Sequence, residues 1–295
     1  MPLSFDNQPA AADWYTRHLL NPRGMDGRNV ASGGLLRDRP APRAPRSAKN
    51  WMLRDLKREV RQAVKAGLDG FTLDILQVAG DPDRAVWRRT RLMLEAARAV
   101  DPGFTIVLMP DMGGSLAQKS PALLAKNLAV LGASPSAHRL ADGRLVVAPL
   151  RAEAHSPAWW EQFMSTMADT YRLPLALFPV FIGSEQSYAS SFAPISYGMG
   201  NWGARNPQWN DAAATYRTSP VGRAVSVRAL GMRWMQPVSV QDERPSQGVF
   251  DEAENTTNLR TWEIARKSGA EWVQIPTWND YSENAHIAPS AKNGW

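Results

Sequence analysis

The chain has 295 residues, of which 44% are hydrophobic and 21% charged, enough for one large α/β domain with a substantial core. With no cysteine it holds neither disulfide nor thiolate site, and its four histidines lack the i,i+4 spacing of a zinc helix, so no metal or cofactor is expected. A net charge of +6 raises nucleic-acid binding, but the basic excess is scattered over helical faces and a proline-broken stretch at 37–49; neither a nucleic-acid nor a membrane partner is expected.

The first 50 residues are rich in Pro, Arg, Asn and Gly and carry no convincing apolar strand. They read as an irregular segment belonging to a loop at a barrel mouth. From residue 51 onward, helix and strand patterns alternate. Leu53, Leu56, Val60, Ala63 and Val64 trace the apolar face of a helix over 51–66, closed by Gly67. A buried strand follows at 71–76 and contains Asp74. A helix over 81–100 leads to a strand at 104–109, followed by Pro110-Asp111-Met112-Gly113-Gly114. Helices at 121–131 and 158–171 enclose a strand at 144–149, and a strand at 173–182 comes next. A short helical piece ends near Phe192 before a strand that begins at 195–197. The remaining pattern is helix 221–230, strand 233–240, helix 258–268 and a last strand at 272–277.

Seven near-continuous apolar strands separated by helices imply a parallel sheet covered on its faces. No Gly-rich dinucleotide turn follows any strand, so the pattern favours a (β/α)8 TIM-type barrel over an open doubly wound sheet. The barrel is expected to be incomplete, missing its first strand and last helix, with residues 51–295 forming the catalytic domain. A monomer is expected.

In such a barrel the chemistry sits at the carboxyl ends of the strands. Asp74, Asp111, Tyr197, Gln241 with Asp242, and Asp280 with Glu283 all fall near expected strand ends. The last strand runs directly into Trp278-Asn279-Asp280-Tyr281-Ser282-Glu283, where aromatic and acidic groups crowd together. Glycosidic hydrolysis needs two carboxyls, one to protonate the leaving oxygen and one to act on the other face of the sugar. Three residues of extended chain separate Cα atoms by about 10 Å, nearer the inverting than the retaining spacing. Positions i and i+3 of a straight strand face opposite sides, so a bend or bulge is expected here.

The segment 278–283 resembles the WNDYGES signature of glycoside hydrolase family 71, the α-1,3-glucanases or mutanases. Asp55-Leu56-Lys57-Arg58-Glu59 leading to Ala66-Gly67-Leu68-Asp69-Gly70-Phe71 is similar to that family's first helix and second strand. Pro194-Ile195-Ser196-Tyr197-Gly198 and Trp234-Met235-Gln236-Pro237-Val238-Ser239 sit where its later strands would fall. Ser282 replaces the signature glycine, and Asn284 with Ala285 replaces the Ser-His that follows. The resemblance implies a (β/α)8 barrel and endo-type, inverting cleavage of α-1,3-glucan. It assigns Glu283 as general acid and Asp280 as base, with the roles exchangeable.

Substrate contacts are expected from Asp74, Asp111, Tyr197, Trp202, Gln241, Asp242, Trp278, Asn279, Tyr281 and His286. Of the 12 tryptophans, Trp51, Trp87, Trp159, Trp160 and Trp262 are assigned to helix packing, and Trp234 and Trp272 to strand packing. The alternatives are a barrel glycosidase acting on another polysaccharide, such as α-mannan, and a non-catalytic sugar-binding barrel. A polysaccharide substrate implies a secreted or periplasmic location for the complete protein, although no signal peptide opens this chain.

Overall fold

The computed structural model describes residues 1–34, 38–182, 185–204, 206, 209–214, 219–240, 242–244, 248–251 and 256–292. In chain order its elements are α1 (Trp51–Lys65), β1 (Gly70–Ile75), α2 (Arg84–Val100), β2 (Thr105–Pro110), α3 (Pro121–Gly132), β3 (Leu145–Val147), α4 (Pro157–Tyr171) and β4 (Leu175–Leu177). Then come β5 (Val180–Phe181), α5 (Glu185–Phe192), β6 (Gly198–Asn201), α6 (Pro220–Arg228), β7 (Arg233–Pro237), β8 (Asp242–Arg244), β9 (Gly248–Asp251), α7 (Thr256–Ser268), β10 (Trp272–Gln274), β11 (Asn279–Asp280) and β12 (Ala285–His286).

Local chemistry sets the helix starts. Ser120, Ser156 and Ser219 each cap a helix by accepting a main-chain N–H, and in each case proline occupies the first turn. That pairing satisfies orphan donors and fixes φ for helix entry.

Two parallel sheets, β1-β2-β3-β4 and β5-β6-β7-β10, make one curved wall. The strands β4 and β5 are halves of one strand, interrupted at Phe178-Pro179, where proline offers no N–H to the ladder. Main-chain bonds continue across the break. Phe178 N donates to Val147 O (2.8 Å) and Val180 N to Pro149 O (2.9 Å), while Gly200 N donates to Pro179 O (2.9 Å) on the other side. Among the described residues the result is a seven-stranded (β/α) barrel whose sheet does not close. Among the described residues, β1 pairs only with β2 and β10 only with β7.

Strand alternation divides the core in two. Outward residues such as Ile75, Ile106, Leu108, Val147 and Trp234 pack beneath the helices with Leu56, Val60 and Trp160. Trp160 is fully buried, and its indole N–H donates to Ala152 O at 2.9 Å. Inward residues Met109, Val146, Ala148, Ala176, Phe178 and Met235 fill the inside of the curve. Gly198 has no alternative there, because a Cβ would meet the Phe178 ring at 2.6 Å. Among the described residues no helix covers the outer face of β10, and Val273 is 41% exposed.

Three expectations about elements change. The strand expected from 195 starts at Gly198, because Ala193–Ile195 forms a 3-10 turn with Pro194 inside it. The loop after β7 contains the antiparallel pair β8-β9. Trp262, assigned to packing, is largely exposed on α7. Among the described residues no helix is long and apolar enough to cross a membrane.

The N-terminal residues are strapped to α1 by buried charge. Asp55 on α1 pairs with Arg43 and, at 3.2 Å, with Arg46, and Asn7 Oδ1 accepts from Arg43 Nη1 (2.6 Å). Asp13 forms a buried ion pair with Arg39. This strap carries Met1, Phe5, Trp14, Tyr15 and Leu19 onto the last segment of the chain, against Trp278, Tyr281 and Ala288.

Candidate active site

Beyond β10 the chain crosses residues 275–278 and enters a two-residue hairpin, with Asn279 opposite His286 and Asp280 opposite Ala285. Residues 281–284 form its turn. Asp280 builds that turn: its Oδ1 accepts from Ser282 N (3.1 Å), Ser282 Oγ (2.6 Å) and Glu283 N (3.3 Å). Thr277 Oγ1 accepts the Asp280 N–H at 2.8 Å and donates to Ala285 O, pinning the hairpin from below. Both departures from the signature fit this geometry. Ser282 adds a hydroxyl donor to Asp280, and Asn284 takes a φ of 52°, which asparagine tolerates better than most residues. Glu283 is half-buried on the turn. Because the segment turns, the extended-chain spacing of about 10 Å does not apply to Asp280 and Glu283, and the argument for inversion from spacing lapses.

Two further acids bear on Asp74 at the mouth. Asp74 sits next to the end of β1, and Asp111 directly follows β2. Burial pushes the Asp74 carboxyl up to about 7, and the charges of Asp111 and then Asp280 contribute further. Although protein atoms crowd Asp74, water still reaches its surface at the mouth. Asp111 also shapes its own loop, with Oδ1 accepting from Gly113 N at 2.7 Å. Trp202 follows β6 directly, so it lies at this same end of the sheet.

Asn279 is held from behind. Its Nδ2 donates to Glu59 Oε2 at 2.9 Å, while its Oδ1 and main-chain O accept from the Met1 nitrogen at 2.8 and 2.9 Å. Glu59 Oε1 accepts from Leu3 N at 2.9 Å. Only 3% of Glu59 is exposed, and burial pushes its carboxyl up to about 7 against the pull of the terminal ammonium. Sequence reasoning missed Glu59 as a site residue. Its signal was available: Asp55 and Glu59, one turn apart, share the α1 face occupied by Met52, Leu56, Val60 and Ala63. Two acids on an apolar face mark buried polar work.

Several expected sugar contacts lie elsewhere. Tyr197 precedes β6, at the opposite end of the barrel from the acids, and Arg144 and Arg233 flank its ring at 5.3 and 4.1 Å. Tyr281 is 1% exposed and donates from its hydroxyl to Pro289 O at 3.1 Å, so it supports the turn from inside. His286 is buried in ion-pair range of Asp38, 3.4 Å away. Asp242 is fully buried on β8, and Gln241 lies outside the described residues. Trp278 packs its half-buried indole, tilted by 44°, at 5.5 Å from the Phe71 ring, linking the end of the last strand to β1. Among the described residues no group of three or more acids or histidines is arranged to hold a metal ion.

A parallel β/α wall that gathers carboxyls at the carboxyl ends of its strands is an arrangement that barrel hydrolases use for acid–base chemistry. The sequence profile described as glycosyl hydrolase family 71 matches residues 46–294, and the chain belongs to that family. No curated relative matches the sequence. In fold the chain is similar to the GH99 endo-alpha-mannosidase from Bacteroides thetaiotaomicron, with a TM-score of 0.64 and 15% identity over 81% of this chain and 70% of that one. The same enzyme in complex with bis-tris-propane gives a TM-score of 0.62 at 15% identity, over 81% of this chain and 74% of that one. An engineered protein gives 0.52 at 14% identity, over 76% and 60% of the two chains. The protein is thus a glycoside hydrolase built on an incomplete (β/α) barrel.

Proposed function

We propose that this glycosidase cleaves α-1,3-linked glucan within the chain, with Glu283 protonating the leaving oxygen and Asp280 activating water. The observation that carries the reading is the hairpin of 278–286, which holds both signature acids on one short segment, with Asp280 near enough for its charge to act on Asp74. Three donors fix Asp280 Oδ1, and no protein donor among the described residues takes Oδ2, which suits it to orient a water. Protonated Asp74 is suited to donate a hydrogen bond to a sugar hydroxyl, with Asp111 and Trp202 lining the same mouth. Inversion at the anomeric carbon rests on the family resemblance alone. A polysaccharide substrate favours a location outside the cytoplasm.

The test is reducing-sugar release by the folded chain from α-1,3-glucan, with α-mannan in parallel, for the parent and for Glu283→Gln. Release from the glucan that disappears in the variant supports both substrate and acid. Release from the mannan alone would move the substrate to the second polysaccharide. Binding without release from either would reduce the chain to a sugar-binding barrel.

A further inference from the structure

Resting on the glycosidase reading above, we propose that Glu59 is a positioning residue of the active site, acting through Asn279 to set the placement of Asp280. The contact joins positions 220 residues apart, Asn279 Nδ2 to Glu59 Oε2 at 2.9 Å. Both functions of the Asn279 amide are engaged, the nitrogen by Glu59 and the oxygen by the Met1 nitrogen, so its side chain has one satisfied orientation. Asn279 and Asp280 are consecutive in a two-residue strand and their side chains point to opposite faces. Fixing the first against α1 therefore aims the second at the mouth. The alternative, a purely structural Glu59, explains a buried acid less well. A carboxyl on a residue only 3% exposed is costly on an apolar helix face, where leucine would pack without penalty. Here both of its oxygens are spent on the segments that frame the hairpin, one on Leu3 and one on Asn279.

A swap of polarity tests the idea. In Glu59→Gln one of the two acceptors becomes a donor, so either Leu3 N or Asn279 Nδ2 loses its partner. In Asn279→Asp two carboxyls face each other. The double variant restores complementarity, since the introduced amide nitrogen donates to the introduced carboxylate while its oxygen keeps Leu3 N. Misplacement of a reacting group by an ångström costs up to about a hundredfold in rate. Each single variant is therefore expected to lose about tenfold or more in kcat on the glucan with KM little changed, and the double to recover most of it.

Amide hydrogen exchange over residues 277–286, followed by mass spectrometry on the same full-length proteins, gives a readout that needs no substrate. It should speed up in both single variants and return toward the parent in the double. If exchange responds in this way but the parent cleaves nothing, the substrate reading fails while the contact stands. Unchanged exchange in the single variants, or unchanged kcat in an active enzyme, overturns the positioning role. So does a double variant no better than the product of its singles.

Discussion

Replacing Glu59 by glutamine makes a quantitative prediction about stability as well as rate. The folded protein holds the Glu59 carboxyl at about 7 against an ordinary 4.5. Between those values the native chain keeps a proton that the unfolded chain has released, so stability falls as pH rises across the window. A gap of about 2.5 units corresponds to roughly 3 kcal/mol, fully present as a penalty above pH 7 and absent below about 4.5. Glutamine does not titrate. It should carry a pH-independent cost of about 1 kcal/mol for the disrupted hydrogen bond. Relative to the parent, the variant therefore gains about 3 kcal/mol between pH 4.5 and pH 8. Urea unfolding of both proteins at the two pH values measures this, and the difference between proteins cancels every other titrating group they share. Parallel stability profiles would refute the claim that burial makes the carboxyl at position 59 resist ionisation despite its two hydrogen bonds.

Other expectations follow from the mouth and the core. Asp280→Asn keeps the Oδ1 acceptor that builds the turn, so unfolding temperature should barely move while glucan cleavage falls by about a thousandfold or more. If protonated Asp74 donates to substrate, parent activity declines as pH rises through about 7, and Asp74→Asn removes that decline from the pH–rate profile. Tyr197→Ala should leave KM unaltered, because its ring lies at the far end of the barrel, whereas Trp202→Ala should raise KM severalfold in initial-rate measurements. Trp160→Ala removes a fully buried ring and its bond to Ala152, and denaturant titration should show a loss of about 3–5 kcal/mol.

Much of this architecture could be read directly because the helices α1, α2, α3 and α4 announce themselves by apolar period and the strands β1 and β2 by continuous apolar runs. Where the pattern is thin, the reading slips. The sequence Gly198-Met199-Gly200-Asn201 does not look like a strand, yet its missing side chains are what admit Phe178 and Met235 from neighbouring strands. Reading that strand three residues early put Tyr197 at the wrong end of the barrel. Asp74, Asp111 and Asp280 were legible as acids of the mouth because each falls at, or just beyond, the end of an apolar strand. Tyr281 and His286 were expected at the mouth through proximity to the signature. The hairpin instead turns them inward, a change of face that spacing along the chain does not reveal. Glu59 was hidden for the opposite reason, since an acid on a helix reads as solvated until its neighbours are placed.

The unclosed wall has a mechanical consequence. Among the described residues β1 and β10 are each bonded on one side only, so the cylinder is a horseshoe whose ends are clasped by side chains, Trp278 against Phe71 of β1 and Asn279 against Glu59 of α1. A clasp of that kind parts with far less work than a ladder of main-chain bonds. Asp74 rides on one tip and Asp280 on the segment extending from the other, so the first fluctuation to widen the gap pulls the acids apart while the rest of the sheet stays intact. Warming this enzyme should silence it well before it melts.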